Sequence, residues 1–226
     1  MHLLLTDRLC CPRCGPEFGL ILLAREMRDR RIIDGELGCS NCREYYPVRE
    51  GVGDLRIPPR EELSEPETGA EEDRASKPES DEAIRLGALL GVSSGPGTLL
   101  LFGPAARFAG ALTDLISEVE VVGAASSHPG GEEREGLSRV VMGRRIPFFD
   151  ESLRGVLLSG EEGRTLVEEG VRTVARMGRV VVLGAPEGTR DRLEGAGLSI
   201  LLEEDQVLVG VKEGPKPVPL TTLRVP

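Results

Sequence analysis

The sequence predicts an α/β chain, in which a small metal-binding β unit precedes a mostly parallel sheet with an antiparallel edge. Two observations lead to this prediction. All five cysteines lie within the first 42 of 226 residues, and short apolar runs alternate with helical patterns from residue 82 onward. Clustered cysteine pairs are typical of a metal site, and alternating strands and helices build a parallel sheet that helices cover on both faces.

Four of the cysteines form two Cys-x-x-Cys pairs, Cys11 with Cys14 and Cys39 with Cys42. Two residues between cysteines let both sulfurs of a tight turn point at one ion, and two such turns complete a tetrahedron around Zn²⁺. The spacing therefore predicts a structural zinc site, with a redox pair or an iron–sulfur centre as the alternatives. Cys10 is left over, either as a buried or flanking residue or as a ligand in place of Cys11.

Composition divides the chain into four segments. Residues 1–56 hold the cysteines, and residues 57–81 carry nine acidic side chains against three basic ones, with four prolines and few apolar residues. This composition predicts a solvated linker that acts as a tether, or alternatively an acidic strip that docks on a basic partner or on the other domain. Residues 82–213 form the predicted α/β domain, and residues 214–226 form a proline-rich C-terminal arm.

Within the α/β domain the apolar pattern alternates between two periods. Short apolar runs predict buried strands, whereas apolar residues at helical spacing predict helices. The predicted strands are residues 98–103, 119–124, 138–142, 154–160 and 178–186, with two more strands joined by an acidic turn within 198–212. The predicted helices are residues 82–91, 105–116, 161–177 and 190–197. The closing pair of strands predicts the antiparallel edge.

Charge and hydropathy limit the function classes. The net charge of −10 argues against a general nucleic-acid binder, which needs a basic field to neutralise phosphates. A local RNA contact stays open, and its best candidate is the arginine cluster at Arg25, Arg28, Arg30 and Arg31. No run approaches the ~18 apolar residues of a membrane helix, and the N-terminus lacks the features of a secretory signal. We therefore expect a cytoplasmic protein without a membrane partner.

Two stretches of the N-terminal unit carry a family resemblance, namely LCCPRC and GELGCSNCREYYPVREGVGDL. A Cys-Pro-x-Cys turn at residues 11–14 precedes a strand, a second cysteine turn and a Tyr-Pro-hydrophobic-x-x-Gly segment at residues 46–51. In this order the stretches resemble the Trm112-like zinc-ribbon family over nearly all of residues 1–56. Since members of that family bind and stabilise methyltransferases, the resemblance implies zinc and a protein partner, either a methyltransferase or a translation-related protein.

The segment IPFFDESLRGVLLSG (146–160) carries the best local match in the α/β domain. With its proline–phenylalanine pair, acidic turn and strand, it resembles the class I S-adenosylmethionine-dependent methyltransferases, and the resemblance extends over residues 82–213. It implies a Rossmann-like, methyltransferase-like sheet and S-adenosylmethionine as the cofactor. Both modules occur together, in this order, among proteins described as methyltransferases.

The turn after the first strand of this domain departs from the methyltransferase pattern. That strand in the family ends in an acid and a Gly-x-Gly-x-Gly turn, whose glycines let the backbone approach the cofactor. Here Leu101 stands at the acid, Ala105 and Arg107 replace the second and third glycines, and only Gly103 remains.

The second strand departs as well, because Ala125, or alternatively Ala124, stands where the family has the acid that binds the ribose. Without carboxylates the ribose hydroxyls lose charge-assisted partners, each worth roughly 1.5–3 kcal/mol. Arg154 replaces a third acid, before the fourth strand. The resemblance thus gives the cofactor positions of a lost or altered site as Gly103, Ala105, Arg107 and Ala125.

Three functions fit these observations. The first is a methyltransferase-like scaffold or activator module without enzymatic activity, and the second is an active methyltransferase with an atypical cofactor pocket. The third is an anion or small-molecule binding module, in which Arg107 pairs with a phosphate or carboxylate at a helix N-terminus. The sequence identifies no catalytic residue. His128 and its neighbouring serines are adjacent in sequence, whereas a catalytic triad needs side chains that converge in space. Self-association also stays open, since a reduced fold exposes apolar edges.

Overall fold

The computed structural model describes residues 1–61, 63, 77–129 and 134–214, and all twelve of its strands belong to one sheet. The strand order is β1-β2-β3-β4-β5-β8-β7-β6-β9-β10-β12-β11. The first five strands come from the cysteine-bearing unit and the other seven from the α/β domain. Residues 215–226 of the C-terminal arm lie outside the described residues, as does most of the predicted linker.

The cysteine-bearing unit is an antiparallel meander. It begins with a 3-10 helix, Leu3–Arg8, which is followed by β1 (Cys10–Cys11), β2 (Gly15–Arg28), β3 (Arg31–Cys39), β4 (Tyr45–Arg49) and β5 (Val52–Asp54). On one face of the meander, apolar side chains such as Leu37, Tyr46 and Val48 are fully buried. The opposite face is largely exposed.

The α/β domain contributes a parallel sheet with an antiparallel edge, which confirms the predicted fold class. Its strands are β6 (Ser94–Phe102), β7 (Ser117–Ala125), β8 (Leu137–Val141), β9 (Leu153–Leu158), β10 (Val174–Leu183), β11 (Leu198–Glu204) and β12 (Val207–Lys212). Numbered within this domain from one to seven, they lie in the order 3-2-1-4-5-7-6. Neighbours from β8 to β10 are parallel, whereas β12 is antiparallel to both β10 and β11.

Short helices cover this sheet. They are α1 (Lys77–Leu90), α2 (Ala109–Leu115), α3 (Gly160–Thr165), α4 (Val167–Thr173) and α5 (Thr189–Gly195), and a 3-10 helix (Gly103–Phe108) connects β6 to α2. The helix predicted over 161–177 ends early, because Val174 already pairs with Leu153 of β9 and starts β10. Helix α1 begins five residues before its predicted start, inside the segment assigned to the linker. In the chain that the structure describes, no helix has the length and hydropathy to cross a membrane.

The two units dock edge to edge. Strand β5 pairs in parallel with β8, with Val52 opposite Arg139 and Asp54 opposite Val141. A second contact joins β1 to the IPFF segment (146–149), where the Cys10 N–H donates to the Pro147 carbonyl at 3.0 Å. The IPFF segment that precedes β9 therefore holds the first cysteine turn.

One hydrophobic core runs through both units. Buried side chains of the meander, among them Met1, Leu5 and Tyr46, join Val122 and Phe148 of the α/β domain in a single cluster on one face of the sheet. Helices α1 and α2 cover a second cluster on the other face. Because the first cluster belongs to neither unit alone, the meander and the parallel sheet bury each other.

Candidate metal centre and the strand ends of the parallel sheet

The four paired cysteines converge on one point. Their sulfur atoms all lie within 4.8 Å of one another, with 3.7 Å between the sulfurs of Cys11 and Cys42 and 3.9 Å between those of Cys14 and Cys39. A tetrahedron with Zn–S bonds of about 2.3 Å has edges of about 3.8 Å. The sulfurs are therefore positioned to hold a metal ion of this size.

Tight turns bring the sulfurs together. The first cysteine turn connects β1 to β2, and Gly15 follows it with a left-handed backbone (φ +93°). The second turn connects β3 to β4 and closes with a hydrogen bond of 2.9 Å from the Arg43 N–H to the Cys39 carbonyl. The Asn41 amide donates to the Cys14 sulfur at 3.3 Å. Such donors stabilise a thiolate over a thiol.

Without a metal, burial favours the neutral form of this cluster. Burial raises the pKa of the Cys42 thiol to about 12, and hydrogen bonds with the other three cysteines add to the rise. Burial also raises the pKa of Tyr46, whose hydroxyl lies 3.5 Å from the Cys11 sulfur. These groups are neutral at neutral pH without a metal, whereas a divalent cation holds coordinating thiols in the deprotonated form. The set is all-sulfur and coordinatively closed, so its chemistry is structural.

Cys10 lies outside the four-cysteine cluster. Its side chain is buried, and this burial raises the pKa of its thiol to about 11 while the Arg172 guanidinium acts in the opposite direction. A buried, protonated thiol is an inert packing group. Of the two alternatives for Cys10, the structure favours the buried residue over the ligand.

At the end of β6, Ser159 fills the turn that would approach a cofactor. The Ser159 hydroxyl donates to the Phe102 carbonyl at 2.7 Å and accepts from the Ala105 N–H at 2.9 Å. Gly103 has a left-handed backbone (φ +80°), and a Cβ there would collide with the Ser159 carbonyl. The polar backbone atoms at this strand end therefore have partners inside the protein.

The other positions given by the methyltransferase resemblance scatter around this turn. Ala105 is buried, and the carbonyl of Ala125 accepts from the Met142 N–H at 2.9 Å. The Arg107 guanidinium is exposed and stacks on the Phe108 ring, 4.6 Å from its centroid. Arg107 lies in the last turn of the 3-10 helix, two residues before the start of the seven-residue helix α2.

These strand ends lack the groups that bind S-adenosylmethionine in the family pattern. Residues 101–107 after β6 and residues 123–129 after β7 contain no Asp or Glu. Arg154, in contrast, lies at the amino-terminal ends of the parallel strands, where its guanidinium donates to the carbonyls of Ser94 and Gly95 at 2.7 and 2.9 Å. Its interpretation as a change in the cofactor site is wrong, because β9 has only begun at this residue.

His128 and the arginine cluster are the remaining candidates. His128 has a buried Nδ1 without a hydrogen-bond partner among the described residues, and its pKa is lowered by burial and by nearby Arg139. In the arginine cluster, Arg31 is buried and donates to Glu120 at 3.2 Å, which removes it from any external contact. Arg25 pairs with Asp34 and Glu36.

Sequence reasoning missed Ser159. Its hydroxyl is the central contact of the strand end, yet a lone serine after an apolar strand resembles any turn residue. The signal that could have found it is its position directly before Gly160, since a polar residue that ends a parallel strand faces the crevice.

Comparisons with known proteins agree with this description. Residues 2–51 match the family model of the Trm112p-like proteins. A comparison with curated proteins gives no significant match.

Three solved structures are similar to the chain. One comes from the complex between the Trm112 methyltransferase activator of Haloferax volcanii and a methyltransferase. It matches with 15% identity and a TM-score of 0.47, over 61% of this chain and 93% of that chain. The Bacillus subtilis YcgJ protein matches with 12% identity and a TM-score of 0.44, over 60% and 100% of the two chains. The tRNA (m1A58) methyltransferase TrmI from Aquifex aeolicus matches with 12% identity and a TM-score of 0.42, over 62% and 71%.

At these identities and TM-scores the solved structures say nothing about activity. The family model carries the assignment of residues 2–51, and the strand order carries the fold of the α/β domain. The chain carries a Trm112-like unit at its N-terminus, followed by a class I methyltransferase-like fold.

Proposed function

We propose that this chain is a zinc-stapled, methyltransferase-like scaffold without methyltransferase activity, in which the Trm112-like unit stabilises the chain's own α/β domain. The observation that carries the proposal is the Ser159 contact at the end of β6. It gives both the Phe102 carbonyl and the Ala105 N–H a partner inside the protein, at the strand end where the resemblance puts the cofactor.

Zinc fits the N-terminal unit. Cys11, Cys14, Cys39 and Cys42 would hold it, and a closed four-thiolate site supplies folding free energy rather than a reactive position. A meander this small rarely builds a sufficient core alone. A cytoplasmic location belongs to the same proposal, because a reducing compartment keeps the four thiols available for the metal.

S-adenosylmethionine does not fit the strand ends. Its ribose hydroxyls and amino group need acceptors, and the turns after β6 and β7 offer no carboxylate. The Gly160 backbone is also packed against the ring of Pro104, since a Cβ at Gly160 would lie 2.9 Å from the Pro104 Cδ. This packing brings the turns that follow β6 and β9 into contact.

Docking in cis supports the scaffold role. The pairing of β5 with β8 uses the outer edge of the α/β sheet, and one buried cluster contains side chains of both units. An edge strand that stays paired is protected from association with other chains. We therefore expect the Trm112-like unit to stabilise the α/β domain of its own chain.

Calorimetry of the zinc-loaded full chain tests the loss of the cofactor site. We expect no heat of binding with S-adenosylmethionine or S-adenosylhomocysteine up to millimolar ligand. Micromolar binding of either would contradict the proposal and favour the active methyltransferase with an atypical pocket. A separate control addresses the anion-binding alternative, because phosphate should then raise the melting temperature of the wild type but not of Arg107→Ala.

A further inference from the structure

The sheet has an exposed edge at each end, formed by β11 and, beyond the two-residue β1, by β2. The two edges differ in how they are protected. At one end, β11 carries an irregularity between Ile200 and Leu202 and ends in Glu203 and Glu204. Bulges and charged residues are the usual means by which proteins prevent a sheet edge from pairing with other chains. This outer strand is therefore protected.

At the other end, β2 lacks this protection over residues 20–24. Beyond Gly19, where Cys10 of β1 is its last neighbour, β2 pairs only with β3 among the described residues. Leu20–Ala24 is a run of five apolar residues without lysine, proline or acid, and the bulges of β2 begin only after Ala24. Ile21 and Leu23 are 58% and 49% exposed. This stretch thus offers unpaired backbone groups and apolar side chains together.

We propose that a second copy of this chain pairs with this edge, through antiparallel contact between the two Leu20–Ala24 segments about a two-fold axis at Leu22. In this register Leu22 lies opposite Leu22, Ile21 opposite Leu23, and Leu20 opposite Ala24. Every cross-strand pair is apolar, which is the arrangement that stabilises an antiparallel pair. A two-fold contact of identical strands also closes on itself, so it ends at a dimer.

Neighbouring registers are poorer. A shift that centres the axis on Leu23 places Arg25 opposite Ile21 and Glu26 opposite Leu20, and thus sets charges against apolar side chains. A shift toward Ile21 requires Gly19, which β1 already occupies. The self-complementary pattern of this segment is the reason for naming a second copy rather than an unrelated strand.

Sedimentation velocity of the zinc-loaded full chain tests the proposal from about 1 to about 100 μM, the range in which micromolar association is resolved. We expect the wild type to reach twice the 24.3 kDa of the chain. The double variant Ile21→Lys/Leu23→Lys places lysine opposite lysine twice across the axis, so it should stay monomeric. Ile21→Glu/Leu23→Glu should stay monomeric for the same reason.

An equimolar mixture of these two variants sets lysine opposite glutamate in the proposed register, and it should restore a dimer. Leu201→Lys, at the exposed apolar residue of the other outer strand, serves as the matched control and should leave the wild-type dimer unchanged. Circular dichroism and zinc content establish that each variant is folded. A monomeric wild type at every concentration, or a dimer that survives both double variants, would overturn the proposal.

Discussion

Gly103 adopts a left-handed backbone directly against the Ser159 carbonyl, so this one residue fixes the geometry of the strand end. Gly103→Ala should lower the free energy of unfolding by about 2–4 kcal/mol, because it adds both backbone strain and a collision. Urea denaturation of the zinc-loaded protein measures the change. Gly143→Ala is the control, since a Cβ there meets no atom within 4 Å. Equal stability of both variants would contradict the tight packing at Ser159.

Glu168 gives a prediction for pH. Arg192 donates to both of its carboxylate oxygens at 2.7 Å, and these hydrogen bonds lower the pKa of Glu168. A lowered pKa in the folded state means that the stabilisation is present above the ordinary carboxyl pKa and is lost as the pH falls through the folded value. The pair is exposed, so it contributes less than about 1 kcal/mol. A carboxyl NMR titration should find the pKa of Glu168 closer to its ordinary value in Arg192→Ala, and an unchanged pKa would refute this account.

Between elements, a buried ion pair connects the Trm112-like unit to the α/β sheet. Arg31 of β3 meets Glu120 of β7 at 3.2 Å, and their side chains are only 9% and 15% exposed. Arg31→Ala leaves a buried carboxylate without this partner and should cost about 3–5 kcal/mol of unfolding free energy. The double variant Arg31→Met/Glu120→Gln should recover part of that loss, since it removes both charges.

The control for this pair is Arg25→Ala. Its ion pairs with Asp34 and Glu36 lie on the exposed face of the same hairpin, so the denaturation midpoint should hardly change. If Arg31→Ala were as mild as Arg25→Ala, the buried pair would have no part in holding the two units together.

Local sequence patterns predicted which strands and helices form better than they predicted where these elements end and how the strands pair. The cysteine spacing and the apolar runs around residues 98–103 and 178–186 act over short distances. The convergence of the four cysteines and the strands β6 and β10 agree with these patterns, and zinc itself stays a prediction. The helix over 161–177 failed at its end because the pairing of Val174 with Leu153 is a contact between strands, which helical spacing does not report. The same limit applies to β5 and β8, whose register depends on two complete units.

The site was predictable only where chemistry follows from spacing. Two Cys-x-x-Cys turns specify a ligand set, whereas the closed strand end depends on a serine hydroxyl that reaches across from the neighbouring strand. Arg154 was misplaced because the resemblance gave its position along the chain but not the end of the strands at which its side chain lies.

For the whole molecule, the shared core makes the metal relevant to both units. Removing it with a chelator should unfold residues 1–56 and also weaken the α/β domain, because Leu9 and Phe148 belong to one buried cluster. Amide hydrogen exchange followed by mass spectrometry measures this, with faster exchange expected in peptides from both units. Adding Zn²⁺ back should restore slow exchange. Unchanged exchange over 137–148 would show that the α/β domain holds its structure alone.

The pairing of β5 with β8 also affects whether another protein can bind at the same strand of the α/β sheet. A covalent connection presents the Trm112-like unit to its own sheet at an effective concentration on the order of millimolar. A free protein with the same docking strand would need to exceed that concentration, or bind far more tightly, to displace it. If the proposed function holds, the α/β domain is therefore insulated from separate proteins that carry such a strand.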